Sequence, residues 1–382
     1  MKSKLFGILL FGLVVIVLLV VWKINFYQSK KANTEPGQDM LNFKELIPDT
    51  FLKSSVFKLD DYMVWCADMV QTDDGTCHLF FSHWPKHLGH RAWVTHSMIG
   101  YATSDKPEGP YSYKSIALGP RKQTDWDGTM VHNPSVISFN NKFYLYYTGT
   151  HGPGDWGPDK SIDDEDEAWQ YRMNQRVGVA VADHPSGPWQ RFDKPLLDVP
   201  EYGSGVVATP CAMVTPENKV YLYFKTQLPG EGKFGGGVFH YPSIGESPLG
   251  PFRKIDKVMV NKNEVFTGHF FNFHIDDHEE WFQNDRYYAI VKDHDAPFLT
   301  EHGNILHLLE SKDGINWERS VYSFVKDRKI LWDDGTIQDF TRLEMPKIFM
   351  EDGTPKILFL SALPADDPDG HSFNIAIPLN NR

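Results

Sequence analysis

The chain has 382 residues, a formal net charge of -12 from 38 Lys and Arg against 50 Asp and Glu, and 41% hydrophobic with 14% aromatic residues. No basic stretch is dense enough to neutralise a phosphate backbone, so nucleic acid is excluded as a partner. Cys66, Cys77 and Cys211 are too few for a disulfide framework and lack metal-finger spacing, so they read as small buried hydrophobes.

At the amino end, Leu5 to Trp22 is 18 residues without a charge, preceded by Lys2 and Lys4 and followed by Lys23. About 20 apolar residues span a bilayer as a helix. Val20-Val21-Trp22-Lys23 offers no small-residue cleavage site, so an uncleaved signal anchor over residues 1–23 is expected, with cleavage the alternative. Residues 24–49 read as a polar tether and 50–382 as one all-β domain. This places the domain outside the cytoplasm, periplasmic or at the cell surface in a bacterium, with the membrane as a partner.

The rest of the chain repeats a hairpin. Cys66 to Phe81 turns at Asp73-Asp74-Gly75, and Ser135 to Tyr147 turns at Asn140-Asn141-Lys142. Cys211 to Phe224 turns at Glu217-Asn218-Lys219, Glu279 to Val291 at Asn284-Asp285, and Met345 to Leu360 at Asp352-Gly353. Runs of β-branched and aromatic residues around such turns are hairpin signals. Taking Leu79, Leu145, Leu222, Ala289 and Leu358 as matching positions gives spacings of 66, 77, 67 and 69. Repetition of an all-β unit at a near-constant period predicts a five-bladed β-propeller.

A third strand follows each of the first four hairpins, at Ile99 to Ser104, Arg176 to Asp183, Gly237 to Tyr241 and Leu306 to Ser311. Gly109-Pro110, Gly187-Pro188 and Gly250-Pro251 then supply bends, because Gly tolerates positive φ and Pro fixes its own. The fifth unit lacks an outer strand after Phe373 to Ile377, and Ser54 to Lys58 is available to supply it and close the ring. Between His151 and Tyr171 the acidic insertion with Asp159, Asp163, Asp164, Glu165, Asp166 and Glu167 reads as a solvated loop. A lid or a calcium loop is the functional alternative, and Trp156 and Trp169 keep the lid open as a reading.

In a propeller the innermost strands converge on one axial funnel. The segments leading into them are Trp65 to Asp68, His132-Asn133-Pro134, Ala208-Thr209-Pro210, His274 to Glu280 and Leu343 to Pro346. Asp68, Asp277 and Glu344 stand at comparable points of three blades. Acid/base hydrolysis needs such a set, with one carboxylate activating water and one protonated group serving the leaving oxygen. A single Asp beside a strand is also an ordinary turn cap. His132 has three readings: general acid, ligand of an ion in the axial channel, or hydrogen-bonded core residue. Trp65, Trp126, Asn133, Asp276, Lys292 and Asp293 are the substrate-binding candidates. Asp127 equally shapes a turn, and Lys292 and Asp293 equally pair with each other. The axial channel is a candidate place for a calcium or sodium ion.

Ser135 to Tyr147, Asn174 to Ala180 with Gly187-Pro188-Trp189, and Ile275 to His278 with Ala289 to Asp293 resemble the five-bladed propeller glycosidases, nearest to glycoside hydrolase families 43 and 117. The resemblance covers roughly Ser54 to Leu379. It implies inverting removal of a terminal sugar from plant or algal oligosaccharides. Asp68 would be the base, Asp277 or His132 the acid, and Glu344 an orienting group. The chain departs from family 43 at blade 3, where Thr209-Pro210-Cys211 replaces an acidic partner, and at blade 2, where His132-Asn133 stands for the usual Asp. A non-catalytic sugar-binding propeller and a glycoside phosphorylase are the alternatives. Phosphorolysis requires cationic side chains near the acid, and the funnel segments quoted above contain no Arg.

Overall fold

A computed structural model describes residues 40–199, 205–227, 238–254, 275–293, 305–367 and 370–380. Blade 1 is a four-stranded meander of Tyr62–Gln71, Cys77–Pro85, Met98–Ser104 and Ser112–Leu118. Blade 2 comprises Met130–Phe139, Lys142–Thr150, Arg176–Ala182 and Gln190–Arg191. Blade 3 comprises Val207–Val214, Val220–Gln227, Val238–Gly245 and Phe252–Lys254. Blade 4 comprises Ile275–Gln283, Arg286–Asp293, Ile305–Ser311 and Trp317–Lys326. Blade 5 runs Ile337–Glu351, Thr354–Pro364 and Phe373–Pro378, with Lys329–Leu331 paired to the start of its first strand.

The outer strand of blade 5 is Val56–Phe57, with Val56 opposite Ile375 and Phe57 opposite Asn374. The amino-terminal segment therefore closes the ring, as its position in the repeat predicts. The first strands of the five blades touch in cyclic order, blade 5 against blade 1 included. The hairpins follow their turn chemistry. Asn140 and Asn141 have φ of 49° and 60°, and Asn284 and Asp285 have 49° and 57°. Positive φ at both central residues makes the tight turn whose twist matches the strands.

The packing lies between blades. Leu79, Leu145, Leu222, Ala289 and Leu358 are all fully buried, so the sequence period marks one structural position. Phe57, Leu79, Phe81 and Phe359 join blades 5 and 1, while Tyr146, Val177, Leu222 and Phe224 join blades 2 and 3. Each buried aliphatic or aromatic side chain contributes about 1.5–3 kcal/mol relative to an exposed one.

One irregularity recurs in every innermost strand. Cys66, Asn133, Thr209, Asp277 and Met345 have φ of 47°, 50°, 50°, 42° and 54°. Each sits where the register to the second strand shifts, which is a β-bulge. None is Gly, so the surrounding structure holds each in a costly conformation.

The expected anchor lies outside the described residues, as does most of the tether. Among the described residues no helix is long and apolar enough to cross a membrane.

Candidate active site

The five bulges sort the side chains of the innermost strands into two sets. The residues just before them, Trp65, His132, Ala208, Asp276 and Glu344, line one cavity at one mouth of the ring. Asn133, Thr209, Asp277 and Met345, on the bulges themselves, line it too. Two residues after each bulge stand Asp68, Ser135, Cys211, Glu279 and Lys347, which face the axis and the next blade.

This second set forms a ring of hydrogen bonds. Val136 N–H donates to Asp68 at 2.8 Å, Ala212 N–H to Ser135 Oγ at 3.1 Å, Glu280 N–H to Cys211 Sγ at 3.3 Å, and Ile348 N–H to Glu279 at 3.2 Å. Each is a side chain of one blade capping the backbone of the next. Lys347 breaks the series because an ammonium accepts nothing. Its Nζ instead donates to Glu279 at 2.8 Å, and Met69 N–H is served by Asp68 of its own blade at 2.8 Å.

This arrangement corrects the grouping expected from sequence. Asp68 does not share a cavity with Asp277 and Glu344. It lines a different one, with Glu279 and Glu280. The cause is the bulge: Asp68 lies two residues after it, whereas Asp277 lies on it and Glu344 one before it, so Asp68 lines a different cavity from the two acids it matches in sequence. Burial pushes the Asp68 carboxyl up to about 7, with Lys347 opposing. Lys347 also puts a tethered cation at the axis, where an ion was the candidate. Among the described residues no cluster of three His, Cys, Asp or Glu side chains is placed to hold a metal ion.

The second strands show where the repeat is broken for another purpose. Ser82, Thr148 and Ser361 occupy one equivalent position, opposite Trp65, His132 and Glu344. Their hydroxyls accept the bulge N–H of the following blade, from Asn133 at 2.9 Å, Thr209 at 2.9 Å and Cys66 at 2.7 Å. Blades 3 and 4 carry Lys225 and Lys292 at this position. Lys225 Nζ reaches Asp276 at 2.5 Å, and Lys292 pairs with Glu344. Arg342 adds a second cation to Glu344 at 3.3 Å. Asp276 also accepts the Asp277 N–H at 2.9 Å, which fixes the bulge carrying Asp277.

Two insertions raise walls around this floor. The end of the second strand of blade 1 brings Trp84, and the stretch after it brings His90, Arg91 and Trp93. The acidic loop of blade 2 contains a helix, Glu165–Met173, whose Asp164 side chain accepts Glu167 N–H at 2.8 Å as an N-cap. Its acids suit the positive end of the helix dipole. Its Glu165, Ala168, Trp169 and Arg172 line the cavity, so the insertion is a wall rather than a purely solvated loop. The walls are tied together by Arg91 to the Asp163 carbonyl at 3.1 Å and by Ser161 to the Leu88 carbonyl at 3.2 Å. The cavity measures about 560 Å³, within the ~300–1,000 Å³ usual for small-ligand sites.

His132 lines the cavity, stacked on Trp93 at 4.8 Å and bonded to Ser97 Oγ at 2.7 Å. Burial, with His90 and Lys225 adding to it, lowers its pKa to about 3, so the imidazole is neutral near pH 7. Of the other candidates, Trp65, Asn133 and Asp276 line the cavity, and Lys292 reaches it through Glu344. Trp126 does not. It stacks on Tyr147 at 5.5 Å and lies against Gly149 and Gly178, filling space between strands of blade 2. Asp127 is fully buried and binds Arg121 at 2.6 Å and Tyr147 Oη at 2.8 Å, which is a structural role. The Asp293 side chain and His274 lie outside the described residues.

Sequence reasoning missed Arg91, Arg172, Lys225 and Arg342, all of which line the cavity. Two signals were available. Lys225 stands where Ser82, Thr148 and Ser361 carry hydroxyls, and Arg342 lies two positions before Glu344 on an extended strand, hence on the same face. The cationic side chains absent from the short funnel segments are therefore present in the assembled site.

No family model matches the chain. A curated relative, the β-1,2-mannobiose phosphorylase of Thermoanaerobacter sp. (strain X514), is 28% identical over 109 residues, which is 28% of this chain and 33% of the relative. The match thus spans about a third of that relative's length. Among solved structures, the family 117 glycoside hydrolase Zg3597 of Zobellia galactanivorans aligns with a TM-score of 0.55 at 16% identity, over 88% of this chain and 92% of that one. The family 43 β-xylosidase/α-arabinofuranosidase CoXyl43 from a compost metagenome, solved with xylotriose, aligns with a TM-score of 0.52 at 12% identity, over 91% and 96%. The chain thus has the five-bladed β-propeller fold seen in glycoside hydrolases of families 117 and 43.

Proposed function

We propose that the chain is an exo-acting glycoside hydrolase that removes a terminal sugar from oligosaccharides by inverting acid/base hydrolysis. The observation that carries this reading is the meeting of Asp276, Asp277 and Glu344 on the floor of one aromatic-walled cavity. Trp93 and Trp169, the partly exposed tryptophans of the lining, supply flat apolar faces on which sugar rings stack.

Glu344, ion-paired as a carboxylate to Lys292 and Arg342, is the unprotonated partner and activates water. Asp277 donates a proton to the leaving oxygen, and Asp276, held by Lys225, positions it. Asp68 is assigned no chemical role, because it opens elsewhere. Inverting geometry needs carboxyl groups about 6.5–9.5 Å apart, with water between the base and the sugar.

Phosphorolysis is the second reading. It is favoured by Arg172, Arg342 and Lys225 around the same cavity and by the β-1,2-mannobiose phosphorylase relative. One experiment separates the two. Proton NMR of a panel of plant and algal oligosaccharides, treated with and without inorganic phosphate, reports the first-formed product. A free sugar of inverted anomeric configuration, lost in Asp277→Asn and Glu344→Gln, supports hydrolysis. A sugar 1-phosphate formed only with phosphate supports phosphorolysis, and turnover retained in both variants removes these carboxylates from the chemistry. Membrane anchorage through residues 1–23 is part of the proposal, and fractionation of the full-length chain tests it.

A further inference from the structure

The helix Glu165–Met173 lies outside the five-fold repeat, and Arg172 is its contribution to the cavity. The Arg172 guanidinium sits over the rings of Trp169 at 4.9 Å and Trp93 at 5.9 Å. Its Nε is shut off from solvent and has no hydrogen-bond partner. Burial pulls its pKa below the usual range, with Asp276 and Asp277 opposing from a distance. No carboxylate lies within ion-pair reach of it among the described residues. Of the four acids that line the cavity, Asp276 is engaged by Lys225, and Glu344 by Lys292 and Arg342.

A guanidinium held in a cavity without an ion-pair partner is costly, and indole faces compensate for only part of that cost. Its planar fork is set for two parallel hydrogen bonds to one oxyanion, and the two tryptophans remove the rotamer freedom that such binding would otherwise consume. A neutral sugar would leave the fork without its matching partner. A sugar carrying a carboxylate or sulfate ester would complete it.

We propose that the sugar bound in this pocket is anionic, a uronic acid or a sulfated residue, and that Arg172 reads its charged group. This rests on the pocket being the sugar site.

Isothermal titration of the full-length chain with matched ligands tests it. Glucuronic acid is compared with glucose, galactose 6-sulfate with galactose, and inorganic phosphate is titrated alone. At least one anionic sugar should bind on the order of ten- to a hundredfold more tightly than its neutral counterpart, the range of hydrogen bonds to a charged group. Arg172→Gln should bring that ratio close to one, and Arg172→Lys should restore part of it. Equal affinity for neutral and anionic sugars overturns this proposal while leaving the sugar pocket intact. So does a preference that survives Arg172→Gln. Arg172-dependent binding of phosphate without any preference among sugars also overturns it and assigns the fork to free phosphate. Failure of every sugar to bind removes both this proposal and the function on which it rests.

Discussion

Replacing Lys292 by Met separates the contribution of the site's ion pairs from that of the fold. Lys292 and Glu344 are 3% and 6% exposed at their side chains, and they join blade 4 to blade 5. Removing one partner of a buried pair leaves an uncompensated charge, at about 3–5 kcal/mol. Glu344 keeps Arg342 at 3.3 Å, itself 40% exposed, so the lower end of that range applies, about 3 kcal/mol. For about 340 folded residues the unfolding entropy is roughly 0.7 kcal/mol/K, so the melting temperature should fall by about 4 °C. Scanning calorimetry at pH 7 measures this. The double variant Lys292→Met with Glu344→Gln removes the stranded charge and should recover at least half of the loss, so the two single effects will not add. A single variant melting within 1 °C of the parent (roughly 0.7 kcal/mol), or strictly additive losses, would falsify the reasoning that this pair is a coupled, desolvated unit.

Other outcomes follow from the same geometry. Asp277→Asn should lower kcat at least a hundredfold with little change in melting temperature, whereas Asp68→Asn should leave kcat within about threefold; the opposite ranking in a steady-state assay would return Asp68 to the chemistry. The pH dependence of stability should run against the usual carboxylate trend. Burial pushes Asp68 up to about 7 and Glu280 up to about 8, from ordinary values of 3.8 and 4.5. At these two sites the native state binds more protons than the unfolded chain, so their contribution to stability falls as pH rises toward 8; His78, His83, His90, His132, His278 and His307, whose pKa values burial lowers to about 3 or 4, act in the opposite direction below about pH 6.5. Above the histidine range, melting curves should show stability falling from pH 7 to pH 8, and the variant Asp68→Asn with Glu280→Gln should flatten that fall. Trp169→Ala should raise KM more than it lowers kcat, because it removes a stacking face of the pocket; equal KM values in the two proteins would place the sugar elsewhere.

What the sequence by itself determined is the local part of this protein. Asn140-Asn141 and Asn284-Asp285 announce their turns because positive φ is a property of a few residue types. The period carried by Leu79, Leu145, Leu222, Ala289 and Leu358 announces five copies because each copy must bury the same position. Even the closure by Val56–Phe57 was legible, since the last unit is one strand short. Which acids meet was decided only by the tertiary structure. Side chains alternate faces along a strand, and a bulge shifts that alternation by one residue, so Asp68 looked equivalent to Asp277 and Glu344 in sequence and lines a different cavity from theirs. Arg172 comes from an insertion whose acidic composition says nothing of the wall it builds. Lys225 and Lys292 cross from one blade to the carboxylates of the next, a contact that exists only once neighbouring blades have packed together.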